Sequence, residues 1–265
     1  MTATQWNIFC NFKEEYKRMI KEWSSRLPNL QKLQKLVAEE AGVPDYPFET
    51  PVVYNRALDD LTQDDDIKLI VIGDNPGKEE QLARNNRYLV GQAGRIAEGY
   101  FKRNLDLGVD FRRNVIILNK TPVHSAKTAQ LRAMVKYGDA EVAALLEESQ
   151  MWCARETARL HAELCRAGAD SVRGGEGFQP ELWLIGYSEL KKKGIFERYR
   201  DELKDFYIKN GGSAEWNRVY VFQHFSMNRF TIDLADYEKK NGCENRSLEE
   251  NIHSLGKLHK MEIFG

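Results

Sequence analysis

Four short stretches of this chain end in side chains that could act together on a ligand. Ile67 to Gly77 (IKLIVIGDNPG) closes on a carboxylate, Asp74, an amide, Asn75, and Pro76, framed by Gly73 and Gly77. Val115 to Asn119 (VIILN) ends on a second amide and runs into Lys120 and Thr121, Leu182 to Gly186 (LWLIG) runs into Tyr187 and Ser188, and Val219 to Gln223 (VYVFQ) runs into His224 and Ser226. An amide carries both a donor and an acceptor, a histidine donates a hydrogen bond or a proton, and a carboxylate supplies negative charge or a base. Each residue alone is also an ordinary turn former. Placed after four apolar runs, they suit recognition of a polar ligand.

The runs themselves must be the elements that position these groups. The first is apolar without alternation and is bounded by Asp64-Asp65-Asp66 and a Gly/Pro turn, which predicts a buried strand of a parallel sheet. Such sheets bind ligands at the carboxyl ends of their strands, so Asp74, Asn75, Asn119, Ser188, His224 and Ser226 should converge on one edge. Apolar spacing predicts helices over Trp6 to Trp23, Leu27 to Val43, Gly91 to Leu107 and Asp139 to about Ala167. A further helix runs from Ser247 to about Met261, opened by Ser247 with Glu250 three residues on, a capping box. Lys78 to Arg84 reads as one or two helical turns and Asp45 to Leu61 as an irregular connection, while Ala169 to Gln179, with Gly174, Gly175 and Gly177, reads as a flexible surface loop. The alternation predicts an α/β fold: a three-layer sandwich with a central four-stranded parallel sheet flanked by helices. A single domain over residues 1–265 is expected, its N-terminal helices (residues 1–60) packed on the core.

Composition narrows the class. A chain of 265 residues with 42% hydrophobic and 30% charged residues is ordinary for a soluble globular protein. No apolar run approaches membrane length and the start lacks a signal-peptide pattern, so a cytoplasmic protein without a membrane partner is expected. Cys10, Cys153, Cys165 and Cys243 form no C-x-x-C pair, which argues against a disulfide framework, a metal site or a metal cofactor. Cys153 falls on an apolar helical stripe with Val142, Leu145, Leu146 and Leu160, the position of a buried structural thiol. With a net charge of −1, any nucleic-acid affinity must come from local patches: Arg112-Arg113, Lys120 with Lys127, Lys191-Lys192-Lys193 and Arg229, each beside a predicted strand end.

Over Ile67 to Phe230 the chain resembles the uracil-DNA glycosylase superfamily. Gly73-Asp74-Asn75-Pro76-Gly77 is similar to that superfamily's first motif, and Tyr88-Leu89-Val90-Gly91-Gln92-Ala93-Gly94 to the Phe-Val-Gly-x-Ala-Gly element of its iron–sulfur branch. His224-Phe225-Ser226-Met227-Asn228 is similar to the last motif, His-Pro-Ser-Pro followed by a residue that enters the duplex, and Asn119 matches the asparagine that reads the base. The iron–sulfur cysteine pattern is missing, and Phe225 and Met227 replace both prolines.

This resemblance implies a DNA glycosylase that hydrolyses the N-glycosidic bond of uracil or a related deaminated base, acting on an extruded nucleotide as a monomer without a cofactor. It assigns Asn75 to orienting water, Asp74 to negative field or to capping, and His224 to a hydrogen bond on the departing base. Asn119 would pair with the base edge, Gly73, Pro76 and Gly77 would allow close backbone approach, and Tyr88 or Leu89 would form the stacking wall. Ser226 would hold a phosphate, Lys120 and Lys127 would face the DNA, and Asn228, Arg229 or Phe230 would fill the gap left by the flipped base. His124, in the polar loop Pro122 to Thr128, is either a second site residue or a plain loop histidine. Two other readings stand beside this one: a noncatalytic nucleic-acid-binding protein with the same fold, and an unrelated nucleotide-binding α/β protein, which the absence of G-x-G-x-x-G opposes.

Overall fold

The computed structural model describes residues 1–172, 178–243 and 245–265. Four strands, β1 (Leu69–Gly73), β2 (Val115–Asn119), β3 (Glu181–Ile185) and β4 (Val219–Phe222), pair in parallel in the order β2-β1-β3-β4. The helices are α1 (Ala3–Arg26), α2 (Leu30–Glu40), α3 (Gln92–Arg103), α4 (Gln130–Tyr137), α5 (Ala140–Val172), α6 (Tyr187–Leu190), α7 (Glu197–Lys209), α8 (Ser213–Trp216), α9 (Arg229–Asn241) and α10 (Leu248–Phe264).

Every residue of β1 and β2 is buried, because both faces of the sheet are covered. Alternate strand residues feed two separate cores. Ile70, Ile72, Ile116, Leu118, Leu182, Leu184, Val219 and Val221 join Phe9, Trp23, Ala154 and Leu203 under α1, α5 and α7. Leu69, Val71, Ile117, Trp183, Ile185 and Phe222 join Phe101, Phe230, Leu234 and Leu255 under α3, α9 and α10. The protein is therefore an α/β sandwich of three layers, as the sequence predicts.

The N-terminal helices are tied into this core by specific bonds. The Tyr16 ring stacks on Trp152 at 5.5 Å, its hydroxyl meets that of Tyr88 at 2.7 Å, and the Trp23 indole donates to Glu148 at 3.0 Å. α1 begins at Ala3, earlier than its apolar spacing suggests, because Thr2 and Gln5 form a capping box. The capping box at Ser247 and Glu250 opens α10 as expected.

Three expectations are corrected. Residues 78–84 form turns rather than a helix, since the Glu80 carboxylate takes the Gly77 N–H at 2.9 Å and the Gln81 amide bonds to Pro47 and Glu49 of the preceding connection. α5 runs on to Val172, past the expected stop near Ala167, and residues 173–177 of the expected glycine-rich loop lie outside the described residues. α3 ends at Arg103 and is followed by a separate 3-10 turn, Leu105–Leu107.

Candidate functional site at the carboxyl edge of the sheet

After β1 the chain crosses to β2 on one side, and β3 then pairs on the other side of β1. The carboxyl ends of β1 and β3 therefore flank the point where the strand order reverses, where open parallel sheets bind ligands. A cavity of about 450 Å³ opens at this edge. Asp74, Asn75, Gly77, Leu89, Asn119, Lys127, His224 and Ser226 all line it.

Asn119 ends β2 in register with Gly73 of β1 and is only 2% exposed. A Cβ on Gly73 would lie 2.4 Å from the Asn119 Oδ1, so the glycine makes room for that amide. The Asn119 Nδ2 has no acceptor among the described residues. A buried donor left unpaired costs roughly 1–3 kcal/mol, and the residue that carries this one lines the cavity.

Asn75 is held by its NH2 group, which donates to Ser125 Oγ at 2.9 Å and to the Ser125 and Pro76 carbonyls at 3.1 Å each. Its Oδ1 has no donor among the described residues, so on this cavity-lining side chain it is the group able to accept a hydrogen bond from a bound water. The turn beneath is fixed by His124, fully buried, whose Nδ1 donates to the Pro76 carbonyl at 2.8 Å while its Nε2 accepts from the Tyr46 hydroxyl at 2.9 Å. Burial pushes the His124 pKa down to about 4. His124 thus supports the site from behind without entering it.

His224 follows β4 on the far side of the cavity. The Ser226 backbone N–H donates to its Nδ1 at 3.1 Å, and the Ser226 Oγ lies 2.9 Å from the same atom. An Nδ1 that accepts carries no proton, so the neutral ring bears its proton on Nε2. Burial lowers the pKa of this imidazole, Asp74 opposes the shift and Lys120 adds to it. His224 is a neutral N–H donor at the cavity wall.

The charge at the centre of the edge differs from the expected arrangement. Lys120, placed by its neighbours in a DNA-facing patch, is completely buried. Its ammonium donates to Asp74 Oδ1 at 2.6 Å, to the Ile185 carbonyl at 2.5 Å and to the Gly73 carbonyl at 3.4 Å, and lies 5.0 Å from the Phe196 ring centroid. Burial lowers its pKa and Asp74 opposes that change. The pair fits because Gly186 is a glycine: with φ +94°, any Cβ there would lie 2.3 Å from Asp74 Oδ1. Asp74 is a paired anion at the cavity wall, also approached by the Thr128 hydroxyl at 3.4 Å.

Other expected residues lie elsewhere. Tyr88 is fully buried, with its hydroxyl on the Val53 carbonyl at 2.6 Å, so Leu89, not Tyr88, forms that wall. Gly73 and Pro76 do not line the cavity. Phe230 is 1% exposed and packs on Phe225 at 5.1 Å, which removes it from the duplex-facing candidates. Asn228 and Arg229 are exposed, and so is Met227, which with Asn228 adopts left-handed backbone at φ +54° and +56°. Arg112 and Arg113 precede β2 at the opposite end of the sheet, where they pair with Glu98 and Asp65.

The sequence reading missed Glu80, Ser125, Thr128 and Lys78, all of which line the cavity. Glu80 had a signal, a carboxylate three residues after a turn glycine. It is buried, takes N–H groups from Gly77, Leu89 and Val90, and burial pushes its pKa up to about 7. A smaller cavity of about 180 Å³ lies at the amino ends of the strands, lined by Leu69, Phe101, Trp183 and Ile252. There the Glu181 carboxylate is already engaged by His253 at 2.7 Å and the Trp183 indole at 2.9 Å. Among the described residues no group of three or more His, Cys, Asp or Glu could hold a metal ion, and no helix is long and apolar enough to cross a membrane. No family model, curated protein or solved structure matches this chain.

Proposed function

We propose that this protein is a DNA glycosylase that hydrolyses the N-glycosidic bond of uracil or a related deaminated base. The observation that carries the reading is the convergence of Asn119, Asn75 and neutral His224, from the ends of three different strands, on one cavity. The resemblance of the same segments to uracil-DNA glycosylases supports it.

In this mechanism the target nucleotide leaves the stack and its base edge meets the Asn119 amide, whose free Nδ2 donates to a base oxygen. The bond from C1′ to the base nitrogen breaks with its electron pair going to the base. His224 Nε2–H donates a hydrogen bond to the base oxygen where that charge gathers, without transferring its proton. Water held by the Asn75 Oδ1 adds to C1′ and gives up a proton to the departing base or to bulk water. Asp74 faces the positively charged sugar, its own charge held in place by Lys120.

The test is a panel of oligonucleotides, each carrying one uracil, hypoxanthine, xanthine or mismatched thymine, treated with alkali to reveal abasic sites. Excision by the native protein and a loss of about 100-fold or more in His224→Ala, with an unchanged circular dichroism spectrum, is the expected result. DNA binding without abasic product from any member of the panel would instead identify a noncatalytic binding protein. The observation favouring that second reading is the Asp74–Lys120 pair, which leaves the cavity without an unpaired carboxylate at this position.

A further inference from the structure

The first turn of α3 faces the cavity without a side-chain cap. Gly91 is its N-cap and has no side chain to accept from the turn. Gly91, Gln92 and Ala93 line the same cavity as Asn119. The N–H groups of Gln92, Ala93 and Gly94 find no acceptor among the described residues. Three free donors at the positive end of a helix dipole favour an anion.

This turn is built into position. Leu89, at φ +51°, folds over it, and a Cβ on Gly94 would lie 1.6 Å from the Leu89 carbonyl oxygen. That carbonyl also accepts from Arg112 Nη2 at 2.9 Å. Lys78 and Lys127 line the cavity as cations. The carboxylates nearby are occupied: Asp74 by Lys120, Glu80 by backbone N–H groups, and Glu79 by Arg84 at 3.4 Å.

A second, independent observation is Asn119, a residue lining the same cavity that is 2% exposed and whose buried Nδ2 has no partner among the described residues. A ligand that satisfies both ends carries a hydrogen-bonding base edge and an anion. We propose that the first turn of α3 is a phosphate subsite, holding the phosphate of a nucleotide whose base meets Asn119. This rests on the base-binding reading of the cavity given above. The phosphate can be a diester within a strand or the monoester of a free nucleotide; the chemistry of the subsite is the same.

Gln92 is exposed and is the first residue of the helix. A carboxylate at this position interacts favourably with the helix dipole but repels a phosphate. Gln92→Glu should therefore keep or raise the melting temperature while weakening phosphate binding, a combination that structural damage does not produce. Gln92→Pro removes one N–H without adding charge, and the extended Gly91 before it (ψ −163°) is compatible with a following proline. Calorimetry at low salt would compare deoxyuridine with its 5′- and 3′-monophosphates and with a single-stranded oligonucleotide carrying one uracil.

The expected result is about tenfold tighter binding of a monophosphate, the oligonucleotide or both than of the nucleoside, erased by Gln92→Glu and reduced by Gln92→Pro. Loss confined to the monophosphates identifies a free-nucleotide subsite; loss for the oligonucleotide identifies a strand phosphate. Equal binding of nucleoside and phosphorylated ligands, or a preference unchanged in Gln92→Glu, overturns the proposal. Phosphate preference without base excision would sink the glycosylase reading and leave the subsite standing, and excision without phosphate preference would do the reverse.

Discussion

Lys120 and Glu80 are both buried ionisable groups of the same edge, and they meet burial in opposite ways. Lys120 keeps a partner of opposite charge, so removing it leaves Asp74 a largely buried anion without its counter-charge. Lys120→Met is expected to cost about 3–5 kcal/mol in urea unfolding, with Asp74→Asn restoring part of the loss in the double variant. Additive losses in the two variants would show that the pair is not coupled. Glu80 has only N–H donors and a distant Arg112, and its pKa rises to about 7. Its folded pKa is above the unfolded value, so its contribution is fully present below about pH 4.5 and declines as pH rises through about 7, by roughly 3 kcal/mol. Glu80→Gln should flatten the decline in stability between those limits, as read from unfolding curves at several pH values.

At the level of elements, the site depends on how closely β1 and β3 and the turns after them approach. Gly186→Ala places a Cβ 2.3 Å from Asp74 Oδ1 on a residue with φ +94°, so it strains the backbone and pushes the ion pair apart. A loss of about 2 kcal/mol or more is expected, together with impaired excision if the proposed glycosylase reaction holds. Ser247→Ala should lose about 1 kcal/mol by removing the α10 cap, whose residues do not line the cavity, and should leave excision unchanged. Equal effects of the two substitutions on excision would mean that overall stability, rather than the β1–β3 junction, governs the site.

Across the whole molecule, two buried neutral histidines set the response to acid. His124, with its pKa pushed down to about 4, and His161, pushed down to about 3 by burial, bind no proton in the folded state until well below their ordinary range. Both folded pKa values lie under the unfolded one, so the stability they contribute is present above about pH 6.5 and is lost as pH falls toward 4 and then 3. Each contributes on the order of a few kcal/mol. His161 is held between the Tyr207 hydroxyl at 2.7 Å and the Pro180 carbonyl at 3.1 Å, far in sequence from the Pro76 turn that His124 supports. Acid unfolding monitored by tryptophan fluorescence should therefore begin below pH 6.5, and replacing either histidine with a neutral residue that folds should shift its onset to lower pH.

The strands were legible from the order of residues alone, since unbroken apolar runs ending in Gly, Asn or polar turn residues fit best inside a covered parallel sheet. That order also determined which polar residues follow them, and so Asn75, Asn119 and His224 were legible at the carboxyl edge. The burial of Cys153 and the cap at Ser247 were equally readable, because each is a local pattern. The charge state and surroundings of each group, by contrast, follow from the assembled fold. Whether Lys120 faces solvent or Asp74 depends on the approach of β1 and β3, which are over 100 residues apart in sequence. Tyr88 and Leu89 are neighbours in the chain, and a left-handed backbone at Leu89 sends one into the core and the other to the cavity. Charge and exposure are set by what packs around a side chain, and that neighbourhood is assembled from segments distant along the chain.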